Sequence, residues 1–393
     1  MKYIADEMKK PSIFIDEEKL DFDYVPEELP RRESELQRLA KIFTPILKTQ
    51  VSENVFIHGK VGTGKTAMAK KFGRDMGKFG EDLGKIIESV HVNCRQRKTE
   101  ASVMLKIIQH FQKSFPDRGF SVDEILDSLR KHLEKRRVHL IVVLDEVDVL
   151  LKKSGSDLIY YLTRFDEEDS WVKGSLSLIL ISQRKVYDLF DSAALSTFKR
   201  TNMIECPAYT YEELIDILNQ RVELSFKSGS VDPEAIDLIA DIASTEGDAR
   251  LAIELLSNAG KNTDNEGSKI VTPEHVRAAK CDITTIEHKL ADLKLHEKMT
   301  LLAVARLLAK GGAYRSTGEV EDLYGVICEE YSEKPRAHTQ FWGYLKDLTN
   351  YGLLKTKRSG EGVIGNTTLI SLPDIPAKTL SKKLTTNLDR TAR

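Results

Sequence analysis

The sequence predicts an α/β domain built on a parallel sheet with a phosphate-binding loop, then a helical lid, then a C-terminal winged-helix domain. Three observations lead there. Four short apolar runs, Val55–Ile57, Val90–Val92, Ile141–Leu144 and Leu178–Ile181, alternate with amphipathic helical segments. Apolar runs of this kind fit strands buried on both faces of a parallel sheet. The first run leads into Gly59-Lys60-Val61-Gly62-Thr63-Gly64-Lys65-Thr66, which fits G-x-x-x-x-G-K-[ST] at every position, and a helical pattern follows. After Pro207 the strand–helix alternation stops: every periodic segment is helical to about Ala279, and a third block closes on two strand-like runs.

Length and composition bound the reading. The 393 residues suggest two to three domains at ~150 residues each. With 41% hydrophobic and 31% charged residues the composition is globular, and no stretch approaches the ~18 apolar residues of a membrane helix. Residues 1–16 are mixed in charge and read as a loose leader, not a secretory signal, so a cytoplasmic location is expected. Cys94, Cys206, Cys281 and Cys328 are scattered, without a C-x-x-C pair, which argues against a zinc site or a disulfide framework. Net charge is −2, yet residues 334–393 hold eleven Lys/Arg against four Asp/Glu, a local +7. That asymmetry points to a polyanion partner for the C-terminal end alone.

The elements follow in order. Residues 17–207 are expected to form the α/β base, 208–285 the lid, 286–381 the winged helix and 382–393 a tail. Glu33 to Lys48 carries a helical stripe of Leu36, Leu39, Ala40, Phe43 and Leu47. Lid helices are expected over Glu212–Leu224, Pro233–Ser244 and Ala249–Ala259, with the polar stretch Gly260 to Ser268 as a surface loop. Thr272-Pro273-Glu274 reads as a helix start, with Thr as cap and Pro in the first turn. The third block predicts helices around 289–310, 319–331 and 336–351, then strands over Leu353–Lys357 and Thr367–Leu372.

The glycine loop has a defined chemistry. Gly59, Gly62 and Gly64, with Thr63, let backbone N–H groups wrap phosphates without Cβ clashes. Lys65 then reaches the β- and γ-phosphates, the Thr66 hydroxyl binds Mg²⁺, and the following helix N-terminus adds partial positive charge. Ile141–Leu144 ends in Asp145-Glu146, which places Asp145 near the metal and Glu146 where it can orient an attacking water. This pair is the usual form of the motif in AAA+ ATPases, which the chain resembles.

That resemblance implies further site residues. Ser182-Gln183 ends the next strand, where the family places a polar sensor beside the γ-phosphate. Gln183 departs from the Asn that most of the nearer relatives carry by one methylene. Gly247-Asp248-Ala249-Arg250 resembles the second sensor, with Arg250 on a lid helix. Tyr209 at the hinge and Arg221 beyond it border the nucleotide in relatives. The family also presents an Arg to a neighbouring subunit's nucleotide. Ala193 aligns with that Arg here, and Arg200 is a substitute at the wrong offset. The absence of such a finger can cost ~10³-fold or more in rate, so slow hydrolysis is expected.

The C-terminal block has the pattern of a DNA reader. Phe341, Tyr344, Leu345 and Leu348 form one apolar stripe, and Arg336, His338, Thr339, Gln340 and Lys346 lie off it. One face in the core and one free for the major groove is what a recognition helix requires. Lys355, Lys357 and Arg358 lead to a glycine-rich tip from Ser359 to Gly365 that includes Gly360, a hairpin suited to phosphate or minor-groove contact. Arg95 and Lys98 precede an extra helix expected from Thr99 to Phe115, which touches duplex in relatives with this order of elements; a solvated helix is the alternative.

Taken together, Pro26, Pro30-Arg31-Arg32-Glu33, the phosphate loop, His91-Val92-Asn93-Cys94-Arg95-Gln96, Asp145-Glu146, Gly247–Arg250, Thr272–Val276 and the winged helix resemble the archaeal origin recognition complex/cell division control family over about residues 17–380. The resemblance implies ATP or ADP with Mg²⁺ as cofactors. It also implies double-stranded origin DNA as ligand, the replicative minichromosome-maintenance helicase as recruit, and a paralogous initiator as companion. Alternatives are a STAND-type ATP-gated transcription or signalling regulator, a clamp-loader-like machine, and a DNA-binding protein with a dead nucleotide site. The first usually carries extra domains for which 393 residues leave little room. The second needs the missing finger, and intact Lys65, Thr66, Asp145 and Glu146 oppose the third.

Overall fold

A computed structural model describes residues 11–49, 51–166, 176–185, 189–190, 202–281, 290, 293–358 and 368–391. The chain divides into two compact units. One runs from Asp23 to Tyr209 with Gly247–Ala249; the other joins the N-terminal segment through Phe22 to Thr210–Glu246 and to the chain from Arg250 onward.

The first unit is the α/β base. Its elements are α1 (Glu33–Thr49), β1 (Asn54–His58), α2 (Lys65–Asp82), β2 (Ile86–Asn93), α3 (Glu100–Phe111), α4 (Val122–Arg136), β3 (Val138–Asp145), α5 (Val147–Ser154), α6 (Asp157–Thr163), β4 (Leu176–Ser182) and β5 (Met203–Glu205). The strands form one parallel sheet in the order β2-β3-β4-β1-β5. Every residue of β3 and β4 is buried, as two covered faces require. One face packs Leu39, Phe43, Met68 and Phe72 against Ile57, Val143 and Ile181. The other packs Met104, Ile107, Leu129 and Leu133 against Val142, Leu144 and Leu180. The register pairs His58 with Ser182 and Leu144 with Leu180. The carboxyl ends of β1, β4 and β3 therefore open on one edge, where open α/β sheets bind ligands.

The second unit holds the lid helices α7 (Tyr211–Ser225), α8 (Pro233–Ser244), α9 (Ala249–Asn265) and α10 (Pro273–Lys280). It continues through α11 (Leu295–Leu308), β6 (Arg315–Ser316), α12 (Thr317–Glu330), α13 (His338–Asn350), β7 (Lys355–Arg358), β8 (Thr368–Ser371) and α14 (Ala377–Thr391). The last three strands make an antiparallel sheet in the order β6-β8-β7. Helices α11 to α13 with this hairpin are a winged helix, and Leu302, Tyr324, Phe341, Leu345 and Ile370 lie in its core.

Four expectations are corrected here. The loop expected over Gly260 to Ser268 is helix as far as Asn265. A Cβ on Gly260 would lie 2.4 Å from the Phe14 ring, so this glycine permits close packing, not a turn. Residues 11–16 are no loose leader: Ser12 Oγ donates to Asp264 (2.6 Å), Ile15 N–H to Ser225 O (2.8 Å), and Phe14 packs on Phe226 at 4.7 Å between centroids. Residues 17–22 likewise group with the lid unit, not with the base. The expected tail is the second half of α14, whose Leu384 and Leu388 are buried in the winged-helix core. The expected boundary at 285/286 lies outside the described residues.

Candidate nucleotide site and nucleic-acid interface

The loop after β1 is held in its turn by the backbone. Gly62 and Gly64 have φ of 73° and 81°, a left-handed conformation that favours glycine. The space is closed to side chains as well: a Cβ on Gly64 would stand 2.6 Å from Tyr209 Oη, and one on Gly62 would overlap the Asp248 carboxylate. Lys65 is buried, and its Nζ donates to the Gly59 carbonyl at 2.8 Å and to the Lys60 carbonyl. Thr63 Oγ1 donates to Lys60 O at 2.9 Å.

Thr66 and Asp145 meet across the edge of the sheet. Thr66 Oγ1 donates to Asp145 Oδ2 at 2.6 Å, and His91 Nε2 lies 3.1 Å from the same oxygen. The Glu146 N–H donates to Asp145 Oδ1 at 2.9 Å. Burial pushes the Asp145 carboxyl up, but the bonds from His91 and Thr66 outweigh it and hold the group below the usual carboxylate range. Glu146 is the left-handed cap of α5 (φ 52°), and its Oε2 accepts from Arg95 Nε at 2.9 Å. Arg95, expected at DNA, is thus committed to the carboxylate expected to orient water. Lys98 is exposed. Among the described residues no cluster of three or more His, Cys, Asp or Glu forms a metal cage.

Arg32 is the residue that sequence reasoning passed over. It is 1% exposed. Its Nε donates to Thr63 O (3.2 Å), Nη2 to Pro207 O (2.8 Å) and Nη1 to Glu35 (3.3 Å), and its guanidinium lies 3.9 Å over the Tyr209 ring. It therefore ties the phosphate loop to the hinge, and the buried Tyr209 hydroxyl is pushed up to about 12 by desolvation. Its only sequence signal was the Pro30-Arg31-Arg32 string.

Three further residues are expected at the nucleotide. Gln183 follows β4 and is exposed. Arg221 is buried in the lid unit, with Nη1 donating to Lys19 O at 2.7 Å. Arg250 is exposed there and lies 5.5 Å over the Phe22 ring. Ala193 and Arg200 lie outside the described residues.

In the winged helix, Phe341, Leu345 and Leu348 face the core as the stripe requires. Arg336, His338, Thr339, Gln340 and Lys346 are exposed, and His338 Nδ1 lies 2.7 Å from Glu321. Two hairpin lysines depart from expectation. Lys355 Nζ donates to Asp241 O and lies 3.3 Å from its carboxylate on α8. Lys357 Nζ sits 3.6 Å over the Tyr314 ring, in a half-buried place that lowers its pKa by desolvation. Both cations are spent inside the unit, and Arg358 is the exposed one. Gly360 lies outside the described residues.

Known proteins share each part. An AAA domain family matches residues 50–190, the Cdc6 AAA+ ATPase-type lid domain 215–281, and the CDC6 C-terminal winged helix domain 288–382. The ORC1-type DNA replication protein 2 of Sulfurisphaera tokodaii is 35% identical over 94% of this chain and 91% of its own. The ORC1-type DNA replication protein of Thermococcus kodakarensis is 34% identical over 93% and 89%. Among solved structures, Cdc6p from Pyrobaculum aerophilum superposes with a TM-score of 0.81 at 28% identity over 97% of this chain and all of that one. The Aeropyrum pernix ORC1 protein in complex with DNA does so at 0.64 and 31% identity over 96% and 98%. The five-stranded parallel base, helical lid and winged helix place this chain in the archaeal family of ORC1-type DNA replication proteins, AAA+ ATPases with a Cdc6-type lid.

Proposed function

We propose that this protein is a nucleotide-gated replication initiator. It binds adenine nucleotide with Mg²⁺ at the loop after β1 and grips duplex origin DNA with its winged helix. The observation that carries the nucleotide half is the Thr66–Asp145 bond of 2.6 Å beside buried Lys65. A hydroxyl and a carboxylate held together at a phosphate loop are the oxygen donors that Mg²⁺ takes alongside nucleotide phosphates. The turn admits only glycine at both positions, since a Cβ at Gly62 would meet the Asp248 carboxylate and one at Gly64 the Tyr209 hydroxyl, which suits a loop whose backbone N–H groups wrap phosphates. The metal, when bound, neutralises charge on the phosphates. Lys65 leaves its carbonyl partners to meet the β- and γ-phosphates, Arg32 keeps the loop in register with Tyr209, and Glu146 orients water once Arg95 releases it.

The exposed face of α13 and Arg358 support the DNA half, together with the DNA complex of the Aeropyrum pernix relative. Arg250, Arg221 and Gln183 are assigned to the nucleotide by the resemblance to the family, and helicase recruitment follows assembly on DNA. Footprinting on genomic DNA with and without ATP tests the reading. Protection of a defined repeat near a replication start supports it; protection at promoters, or none, refutes it.

A further inference from the structure

A polar group is buried at the foot of α13. His296, the second residue of α11, is 8% exposed. Its Nδ1 lies 2.8 Å from Tyr324 Oη, and its Nε2 accepts from Arg336 Nε at 3.0 Å. The Tyr344 ring from α13 lies parallel to it, with centroids 5.9 Å apart and 5° between planes. The Arg336 N–H donates to Tyr324 Oη at 3.3 Å. A guanidinium has donors only, so His296 must offer Nε2 as a lone pair. The ring is then neutral, with its proton on Nδ1 and shared with Tyr324.

This arrangement fixes one of the five guanidinium donors of Arg336 and leaves the Nη fork in solvent. Among the described residues neither Nη group meets an acceptor. A guanidinium braced at Nε and open at its fork suits bidentate pairing with a phosphate.

We propose that His296 is a positioning residue for DNA binding: its neutral ring holds Arg336 so that the Nη fork meets a backbone phosphate beside α13. The proposal rests on the reading of α13 as the DNA face. It carries a pH dependence, because a protonated His296 loses its acceptor and sets a cation against Arg336. The groups facing the ring are Arg336 and Glu333 from the turn before α13, Tyr324 from α12 with Cys328 beside its hydroxyl, and Tyr344 from α13. Glu297, next on its own helix, accepts from the Lys294 N–H. Burial first and Arg336 second hold His296 below the usual imidazole range, against Glu333. The ring is therefore neutral at pH 7 and charges only in acid.

Fluorescence anisotropy of the full chain on a labelled generic duplex, across salt and pH, tests this. Arg336→Ala is expected to weaken binding about tenfold and to lower the salt slope by about one. His296→Gln keeps an acceptor but cannot titrate. It should hold near wild-type affinity at pH 7.5 and lose the weakening that wild type shows as pH falls below the ordinary imidazole value of 6.5. His296→Leu should weaken binding like Arg336→Ala and add nothing in the double variant. His275→Gln serves as control, because its ring lies on α10 against Glu266. An unaltered slope in Arg336→Ala, or a wild-type pH profile in His296→Gln, overturns the proposal while leaving the DNA reading intact. A wild type that binds no duplex at low salt overturns the DNA reading itself.

Discussion

Arg95 donates from Nε to Glu146 Oε2 at 2.9 Å, so the carboxylate expected to orient water is held by a cation from the turn after β2. A carboxylate oxygen that accepts from a guanidinium is not free to accept from water. Arg95 is 65% exposed, and solvent screens the pair. Arg95→Ala is expected to raise single-turnover ATP hydrolysis by no more than about fivefold while leaving nucleotide affinity unchanged. A slower variant would show that Arg95 assists the reaction.

Arg32 predicts a link between stability and nucleotide binding. Removing a buried guanidinium leaves the Thr63 and Pro207 carbonyls without a donor, a loss of about 3 kcal/mol. Arg32→Ala should lower both the unfolding midpoint and ATP affinity. Lower stability with wild-type affinity would separate Arg32 from the loop.

His139 predicts acid sensitivity of the base. It is buried in β3, bonds Ser177 at 2.9 Å, and is pushed down to about 3 by desolvation. The unfolded chain binds a proton near the ordinary value of 6.5 and the folded one does not. Stability is therefore complete above pH 6.5 and falls as pH drops toward 3, by about 1.4 kcal/mol per unit at most. His139→Gln should remove roughly 2 kcal/mol of the difference in unfolding free energy between pH 7 and 5. An equal loss in variant and wild type would place the acid response elsewhere.

The hairpin lysines predict a contrast. Lys357 is occupied by Tyr314 and Lys355 by Asp241, whereas Arg358 is exposed. Lys357→Ala should leave duplex affinity and its salt slope as in wild type, and Arg358→Ala should lower the slope by about one. Equal slopes for the two variants would mean that Lys357 leaves the Tyr314 ring to meet DNA.

The four long strands were legible because parallel strands covered on both faces must be apolar throughout; β5, three residues long, offers no such run. Helix α10 announced itself through Thr272-Pro273. The end of α9 was misread because a glycine that admits an aromatic ring looks in sequence like one that turns the chain. The second half of α14 carried a usable signal, Leu380, Leu384 and Leu388 at helical spacing, masked by lysines between them. The phosphate loop was read from one contiguous string. Arg32, His91 and the pairing of Arg95 with Glu146 were not, because they depend on which side chains from distant segments the sheet brings together.

The most direct test of the account measures duplex affinity at low salt without nucleotide, with ADP and with ATP, for wild type and Lys65→Ala. The account predicts that wild-type affinity changes with nucleotide state, and that Lys65→Ala folds normally, binds duplex and ignores nucleotide. Identical responses of the two proteins, or a wild type that takes up no adenine nucleotide, would contradict it.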